Sequence, residues 1–310
     1  MFLRNSVVIR REIGVRLARL LSKLSRWPVI WRIHQAIENR LLTPPQRTCV
    51  CSTNYGFWME LNPGIDKGVE LSIFKTGTYE AGTLQVFRLL LCPGDIFFDV
   101  GANVGLMTLF VAKLVKNSGL VFSFEPVADI NSQLRRNVEL NELKNVRIFN
   151  TALGSKKSSL KIYSHLEINR GSSSLVPQTD CLEKGDLVKI EPLDSFIDCL
   201  ENRLIKLIKI DVEGWELEVL RGGDKLLSSD KAPILCIECS KLHPIFGGNI
   251  EDIFDFLEKR GYHCFRLKQS KGYISKLIPV TRKSDLPDHD NLFCFPLKFL
   301  SDSLLRKLID

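Results

Sequence analysis

The run Ile96-Phe97-Phe98-Asp99-Val100 reads as a strand buried on both faces, and it passes without a linker into Gly101-Ala102-Asn103-Val104-Gly105 and a helical stretch reaching residue 116. Two glycines four residues apart permit a tight turn and close approach of a ligand to the backbone. The helix that begins there presents N–H groups with no intrahelical partner. A second apolar strand, 120–124, ends on Glu125, and a helix over 128–141 and a third strand over 146–150 follow. Strands this continuously apolar, each returned by a helix, point to an α/β chain with a mostly parallel sheet covered by helices on both faces.

The alternation extends in both directions. Residues 56–61 and 69–74 read as extended segments, and 79–91 as a helix closed by Pro93-Gly94. Downstream, 204–211 is a fourth strand with a helix beginning at Gly214, 234–238 a fifth, 250–260 a helix, and 262–267 and 291–295 the last strands. Residues 151–200 break the rhythm and are too long for an ordinary connection. They read as an insertion with hairpin content near the site, strands falling at 160–163 and 187–190 around a Ser-rich Gly171-Ser172-Ser173-Ser174-Leu175. No internal repeat or low-complexity tract is present.

A formal net charge of +7 invites a polyanionic partner until it is divided by segment. Residues 1–48 carry ten Lys or Arg against two Glu, which leaves 33 basic and 34 acidic residues for the remainder. The body is therefore near neutral, and a nucleic-acid partner is not expected. Within the head, Ile13, Leu17, Leu20, Leu21 and Leu24 recur at helical spacing beside Arg16, Arg19, Lys23 and Arg26. Such a basic amphipathic helix suits peripheral contact with an anionic membrane surface, packing of its leucine stripe on the following domain, or a transit peptide. Thr43-Pro44-Pro45 breaks the pattern, so a basic extension over 1–48 and a catalytic domain over 49–310, with its cofactor-binding core at about 93–240, are expected. No apolar run reaches the length of a membrane span and no signal-peptide core is evident, so the expected location is cytoplasmic, with the inner face of a membrane as a peripheral site. Nine scattered cysteines suit a reducing compartment and read as core fillers; Cys236 and Cys239, three apart on a strand, face opposite ways and cannot share a metal.

The glycine turn belongs to nucleotide binding, and its details choose among nucleotides. Read from Gly101, the dinucleotide pattern needs glycine at 103 and 106, where this chain has Asn103 and Leu106. Asp99 at the strand end is unfavourable beside a diphosphate but welcomes a cation. S-Adenosylmethionine carries an ammonium and a sulfonium, and Glu125 is placed to accept hydrogen bonds from two ribose hydroxyls, as in doubly wound nucleotide binders.

Those residues, together with Gly77-Thr78-Tyr79-Glu80, Pro93-Gly94-Asp95, Phe124-Glu125-Pro126, Asn137 and Asn141, Ala152-Leu153-Gly154, Leu193-Asp194-Ser195 and Lys209-Ile210-Asp211-Val212-Glu213-Gly214-x-Glu216, resemble the FkbM family of S-adenosylmethionine-dependent methyltransferases over about residues 76–296. The resemblance implies a Rossmann-like, seven-stranded class I methyltransferase fold and an activity usually directed at a hydroxyl. The chain departs from the family in its basic head and in Trp215, a bulky residue where the family often has a small one, which bears on the acceptor pocket.

Roles follow residue by residue. The turn from Gly101 through Asn103 to Gly105 would hold the methionine end, with Asp99 facing the ammonium directly or through water; Asn103 also suits a helix N-cap. Glu125 would bind the ribose, and Asn150, Thr151 and Ala152 would border the adenine. An alcohol must lose a proton on methylation, and the candidate bases lie after strands four and five: Asp211, the favoured one, with Glu238 and His243. Glu213 suits a first-turn acid that complements a helix dipole, and Lys209 a partner for one of the acids. Asp211 and Glu213 with Glu238 could also hold a divalent ion, though no His-rich ligand spacing accompanies these acids and no metal site is assigned. The expected acceptor is a small molecule, a sugar or a lipid-linked glycan. A binding protein that kept the fold and lost the chemistry, or an NAD-dependent oxidoreductase, are the competing readings; Gly101 and Glu125, whose loss would mark the former, are intact.

Overall fold

The computed structural model describes residues 42–163, 185–200, 203–240, 246, 248–300 and 307–309, with isolated positions 13, 14, 17 and 33. The basic helix expected over 13–26 and the Ser-rich stretch 171–175 thus lie almost wholly outside the described residues. The described residues fall into two compact units, one running to Tyr79 and including 139–141, the other taking the rest from Glu80 onward. No described helix is long and apolar enough to cross a membrane.

In the first unit, strands β1 (Cys49–Ser52) and β2 (Trp58–Leu61) pair antiparallel, Cys49 opposite Leu61. Helix α1 (Val69–Thr76) occupies the segment expected to be extended. Its buried residues Glu70, Ile73 and Phe74 have helical rather than alternating spacing, and Gly77 ends it in the left-handed conformation with its N–H on the Ile73 carbonyl. Glu70 is buried because its carboxylate accepts the Asn62 N–H at 2.6 Å.

In the second unit, helix α2 (Ala81–Leu90) precedes β3 (Ile96–Val100), α3 (Leu106–Val115), β4 (Leu120–Phe124), α4 (Ala128–Leu140) and β5 (Val146–Phe149). Three short strands follow, β6 (Ala152–Leu153), β7 (Ser158–Tyr163) and β8 (Gly185–Glu191), and form a small sheet of their own in which β7 and β8 pair antiparallel. That is the hairpin content expected of the insertion. The chain then adds β9 (Ile205–Ile210), the short helices α5 (Glu216–Gly222) and α6 (Asp224–Leu227), β10 (Ile234–Ser240), α7 (Ile250–Glu258), β11 (Tyr262–Leu267), β12 (Leu277–Val280) and β13 (His289–Pro296).

The large sheet runs β12-β11-β13-β10-β9-β3-β4-β5. Strands β3, β4, β5, β9 and β10 are mutually parallel, and β13 inserts antiparallel between β10 and β11. This is the Rossmann-like arrangement expected, with strand order reversing on either side of β3, plus one strand that the sequence did not announce: β12, paired antiparallel to β11 at the edge.

The strand interiors explain the order. Residues alternate faces, so Phe97 meets Phe87 of α2 at 5.5 Å while Phe98 starts an aromatic row on the opposite face. Register places Phe98 against Phe122 and Phe124 against Phe149, with centroids 4.8 Å and 5.1 Å apart, and Phe196 closes the row edge-on. The fully buried rings of Phe97, Phe98, Phe122 and Phe124 each contribute about 2–3 kcal/mol of transfer free energy. Cys236, Cys239, Cys264 and Cys294 are buried in strands of the large sheet as free thiols, with Cys264 and Cys294 facing across β11 and β13, and Cys49 and Cys51 are buried free thiols of β1.

Candidate active site

The carboxyl ends of β3, β4, β9 and β10 come together at one edge of the large sheet, and the glycine turn lies at its middle. Gly101 and Gly105 both have positive φ, 83° and 96°, and Asn103 between them has φ 49°. The turn therefore consumes the residues expected to begin the helix: Gly105 is the N-cap, α3 starts at Leu106, and the Asn103 carboxamide oxygen accepts from the Val104 N–H instead of capping. The Phe124 carbonyl accepts both the Gly101 and Ala102 N–H groups at 3.0 Å, and the buried Asn137 of α4 donates to the Val104 carbonyl at 2.9 Å.

Asp99 is the fourth residue of β3 and is 1% exposed. Its Oδ2 accepts from the Thr108 hydroxyl at 2.6 Å, and Thr108 reaches on to Ser123 at 2.7 Å. Its Oδ1 has no hydrogen-bond partner among the described residues. Burial raises the Asp99 carboxyl above its ordinary range, against the pull of Lys209 and Thr108. Glu125, at the end of β4, clamps the turn from the other side: Oε2 accepts the Asn103 N–H at 2.9 Å and Oε1 the Val127 N–H at 3.0 Å. Burial pushes its carboxyl up to about 7. A carboxylate offers about four lone-pair sites, so each oxygen keeps capacity for a further donor. Asn150 donates from Nδ2 to the carbonyls of Glu125 and Pro126, at 3.0 Å and 2.8 Å, and Ala152 lies in β6 opposite Ile190. Gly101, Asn103, Gly105, Glu125 and Asn150 are thus linked through hydrogen bonds to the backbone of the turn and of the end of β4, with Asp99 just before the turn on β3 and Ala152 two residues beyond Asn150. Ala152 makes no bond to that set.

The candidate bases sit beside this turn. The Asp211 N–H donates to the Val100 carbonyl at 3.0 Å, and a Cβ added at Gly101 would fall 1.8 Å from the Asp211 carbonyl oxygen. Lys209, buried within β9, places its ammonium 2.5 Å from Asp211 Oδ2, the acid partner expected for it. Burial raises the Asp211 carboxyl, but Lys209 and Lys271 more than offset that and hold it down at about 2. For Lys209 the order reverses: burial alone would release its proton, and Asp211, Glu80 and Asp99 keep it bound well above its ordinary range. Glu238, 7% exposed in β10, brings its carboxyl to within 4.8 Å of that of Asp211, and burial with the Asp211 charge pushes it far upward. Glu213, at φ 52°, is pushed up to about 8 by burial and by the neighbouring charges of Asp211 and Glu216. His243 lies outside the described residues.

The role anticipated for Glu213 at the start of a helix falls to Glu216. Its Oε1 accepts the Val212 and Gly214 N–H groups at 3.2 Å and 3.1 Å, which closes the Asp211–Gly214 turn. Trp215 is 4% exposed and stacks on Phe246, centroids 4.4 Å apart, the Phe246 N–H donating to the Gly214 carbonyl.

Three members of the site were given no role by the sequence: Glu80, read only within the Gly77-Thr78-Tyr79-Glu80 string, and Lys271 and Asn291, which stand in no motif. Glu80, at the N-cap of α2, brings its carboxylate to within 4.8 Å of those of Asp211 and Glu238. Carboxylates at that spacing share a cation, and the chain supplies its own: the Lys271 ammonium lies 2.9 Å from Glu80 Oε1 and pairs with Glu238 Oε1. Asn291 of β13 donates to Glu80 Oε2 at 2.9 Å.

Residues 99–264 match the family described as the methyltransferase FkbM domain. "Methyltransferase 1" of Beauveria bassiana is 29% identical over 151 residues, covering 43% of this chain and 60% of that protein. "Methyltransferase sdnD" of Sordaria araneosa is 30% identical over 176 residues, covering 47% of this chain and 67% of that protein. The chain thus spans about three-fifths to two-thirds of the length of these two relatives. A putative rRNA methylase from Clostridium thermocellum is similar in structure with a TM-score of 0.40 at 12% identity, covering 68% of this chain and 91% of that chain. The family match takes in the glycine turn, Glu125, the Asp211–Glu216 turn and Glu238, and on it this chain belongs to the FkbM methyltransferase domain family.

Proposed function

We propose that this chain is an S-adenosylmethionine-dependent methyltransferase that acts on a hydroxyl of a small molecule, a sugar or a lipid-linked glycan. The observation that carries the reading is the abutment of the Gly101 turn on Asp211, which brings a cation-binding acid and a cluster of proton-binding carboxylates to one edge of the sheet. The turn fits the cofactor: Asp99 Oδ1 is a buried acceptor without a partner among the described residues, suited to an ammonium directly or through water, and Glu125 retains lone pairs for two ribose hydroxyls. Asn150 and Ala152 would border the adenine. S-Adenosylmethionine supplies a methyl group already activated on a sulfonium, so the chain's part is alignment and proton removal.

Proton removal divides the acids. A carboxyl held at about 2 is a weak proton acceptor, so Asp211 serves as the fixed anion against which Glu238 is oriented. Glu238 and Glu213, both raised, are the stronger acceptors once ionised, and Glu238 is the principal base. The ring of Phe246, stacked on Trp215 and 44% exposed, offers a face to the C–H groups of a sugar.

The test is incubation with methyl-labelled S-adenosylmethionine and fractions of host small molecules, glycans and lipids, followed by mass analysis of what gains a methyl group. The reading predicts an O-methyl product, lost by roughly a hundredfold in Glu238→Gln. Methylation confined to nitrogen or carbon, or full activity in Glu238→Gln, would contradict it.

A further inference from the structure

Lys271 stands apart from every motif read in the sequence, yet it reaches the centre of the carboxylate cluster. It is carried by the turn between β11 and β12, a hairpin held by Lys268 N–H on the Lys276 carbonyl at 2.8 Å and Tyr273 N–H on the Ser270 carbonyl at 2.9 Å. The hairpin is fastened to α2, since the Gly82 N–H donates to the Lys271 carbonyl at 2.9 Å. Gly82 is required there: a Cβ would fall 2.3 Å from the Tyr273 carbonyl oxygen and 2.9 Å from that of Lys271. With its backbone fixed in this way, the Lys271 side chain is 12% exposed and its ammonium meets Glu80 and Glu238 together.

Glu80 is held just as closely. It adopts the left-handed conformation, φ 49° and ψ 52°, which a residue with a Cβ takes only under constraint. That conformation starts α2 and delivers the carboxylate into the cluster, where Oε2 accepts from Asn291 and Oε1 faces Lys271. A strained backbone, a glycine that admits the hairpin and a partly buried ammonium between two buried acids form one arrangement, and its outlet is Glu238.

We propose that Lys271 is a positioning residue of this centre: its ammonium bridges Glu80 and Glu238, and the bridge sets how readily Glu238 gives up and takes back a proton. The inference rests on the reading of Glu238 as the base for the acceptor hydroxyl. Glu238 is faced by Lys209 and Asp211 from the end of β9, by Glu213 from the turn after it, by Glu80 from α2, by Lys271 from the hairpin, and by His289 from β13, its Nε2 lying 3.9 Å away, while Asp290 of β13 stands opposite Cys239 and interacts with Lys271 and Glu80. Within this set Lys271 and Glu80 act with opposite sign: the ammonium favours the ionised form of Glu238 and the Glu80 carboxylate disfavours it.

The experiment reads the carboxyl itself and needs no acceptor. The full chain, with its glutamate carboxyls labelled with carbon-13, is titrated by NMR from about pH 5 to about pH 10, and the Glu238 signal is identified by its disappearance in Glu238→Gln. In Lys271→Met the midpoint of that signal is expected to rise by about one unit or more, in Lys271→Arg to stay within about half a unit, and in Glu80→Gln to fall. Opposite shifts from the two ends of one bridge are not produced by general loosening of the structure. An unmoved midpoint in Lys271→Met, or an unmoved or raised one in Glu80→Gln, overturns the proposal. Should Lys271→Met not fold, Glu80→Gln decides by the same criterion. S-Adenosylhomocysteine affinity is measured on the wild-type chain in parallel: absence of binding would overturn the methyltransferase reading, while the midpoint shifts would still judge the bridge.

Discussion

Gly101 is where an extra carbon has nowhere to go. Its φ of 83° is strained for any residue with a side chain, and the Asp211 carbonyl fills the space a Cβ would need. Gly101→Ala is therefore expected to destabilise the fold by at least about 2 kcal/mol in denaturant unfolding, and to move Asp211 away from the turn. Gly101, Gly105, Asp99 and Glu125 were legible because strand, turn, helix and strand are consecutive in the chain, so a local pattern fixes where they meet. Asp211 and Glu238 were legible by position, at the ends of strands four and five. The difference between the two carboxyls was not, because it depends on Lys209 holding one down while burial pushes the other up. Glu80 and Lys271 are separated by most of the domain, and only the packing of the hairpin on α2 brings them together.

Among the elements, α7 is the one whose start is fixed most locally. Asn249 accepts the Asp252 N–H at 2.9 Å while Asp252 accepts the Asn249 N–H at 2.8 Å, a reciprocal capping box that explains why the helix begins at Ile250. Asn249→Ala is expected to cost about 1 kcal/mol and Asn249→Gly only a few tenths, measured as the shift in unfolding midpoint. An unchanged midpoint in Asn249→Ala would show that the cap bond contributes nothing. The misreading of α1 has the opposite origin: its apolar run is short, and strand and helix differ there only in which residues are buried. The pairing of Gly68 before and Gly77 after the run was the available signal, because a left-handed Gly is a common helix terminator. Strand β12 escaped notice because it is four residues long and includes Pro279, a residue tolerated in a sheet chiefly at the edge position that β12 takes.

At the scale of the whole molecule, the acids that line the site make stability depend on pH in a definite direction. Burial raises Glu125 and Glu216 to about 7, and Glu213, with help from nearby charges, to about 8, all from an ordinary value near 4.5. The folded state binds these protons more tightly than the unfolded chain does. Their contribution is complete below about 4.5 and is lost as pH rises through about 7 to 8. Asp211, lowered to about 2, works the other way: its contribution is present above about 3.8 and is lost as pH falls through about 2. Thermal unfolding of the cofactor-free chain should therefore show a melting temperature that declines from mildly acidic to mildly alkaline pH, with Glu213→Gln flattening the upper part of the decline. A melting temperature that climbs across that range would contradict the assignment.

The net charge of +7 also belongs to this scale, since it resides in residues 1–48 while the body that holds the site is near neutral. The site itself is acidic where a cationic cofactor is expected, at Asp99 and Glu125. Calorimetric titration of the chain with S-adenosylhomocysteine and with NADH tests this most directly. Binding of S-adenosylhomocysteine, weakened roughly tenfold or more in Glu125→Ala, and no binding of NADH is the predicted result. Binding of NADH without S-adenosylhomocysteine would contradict the account.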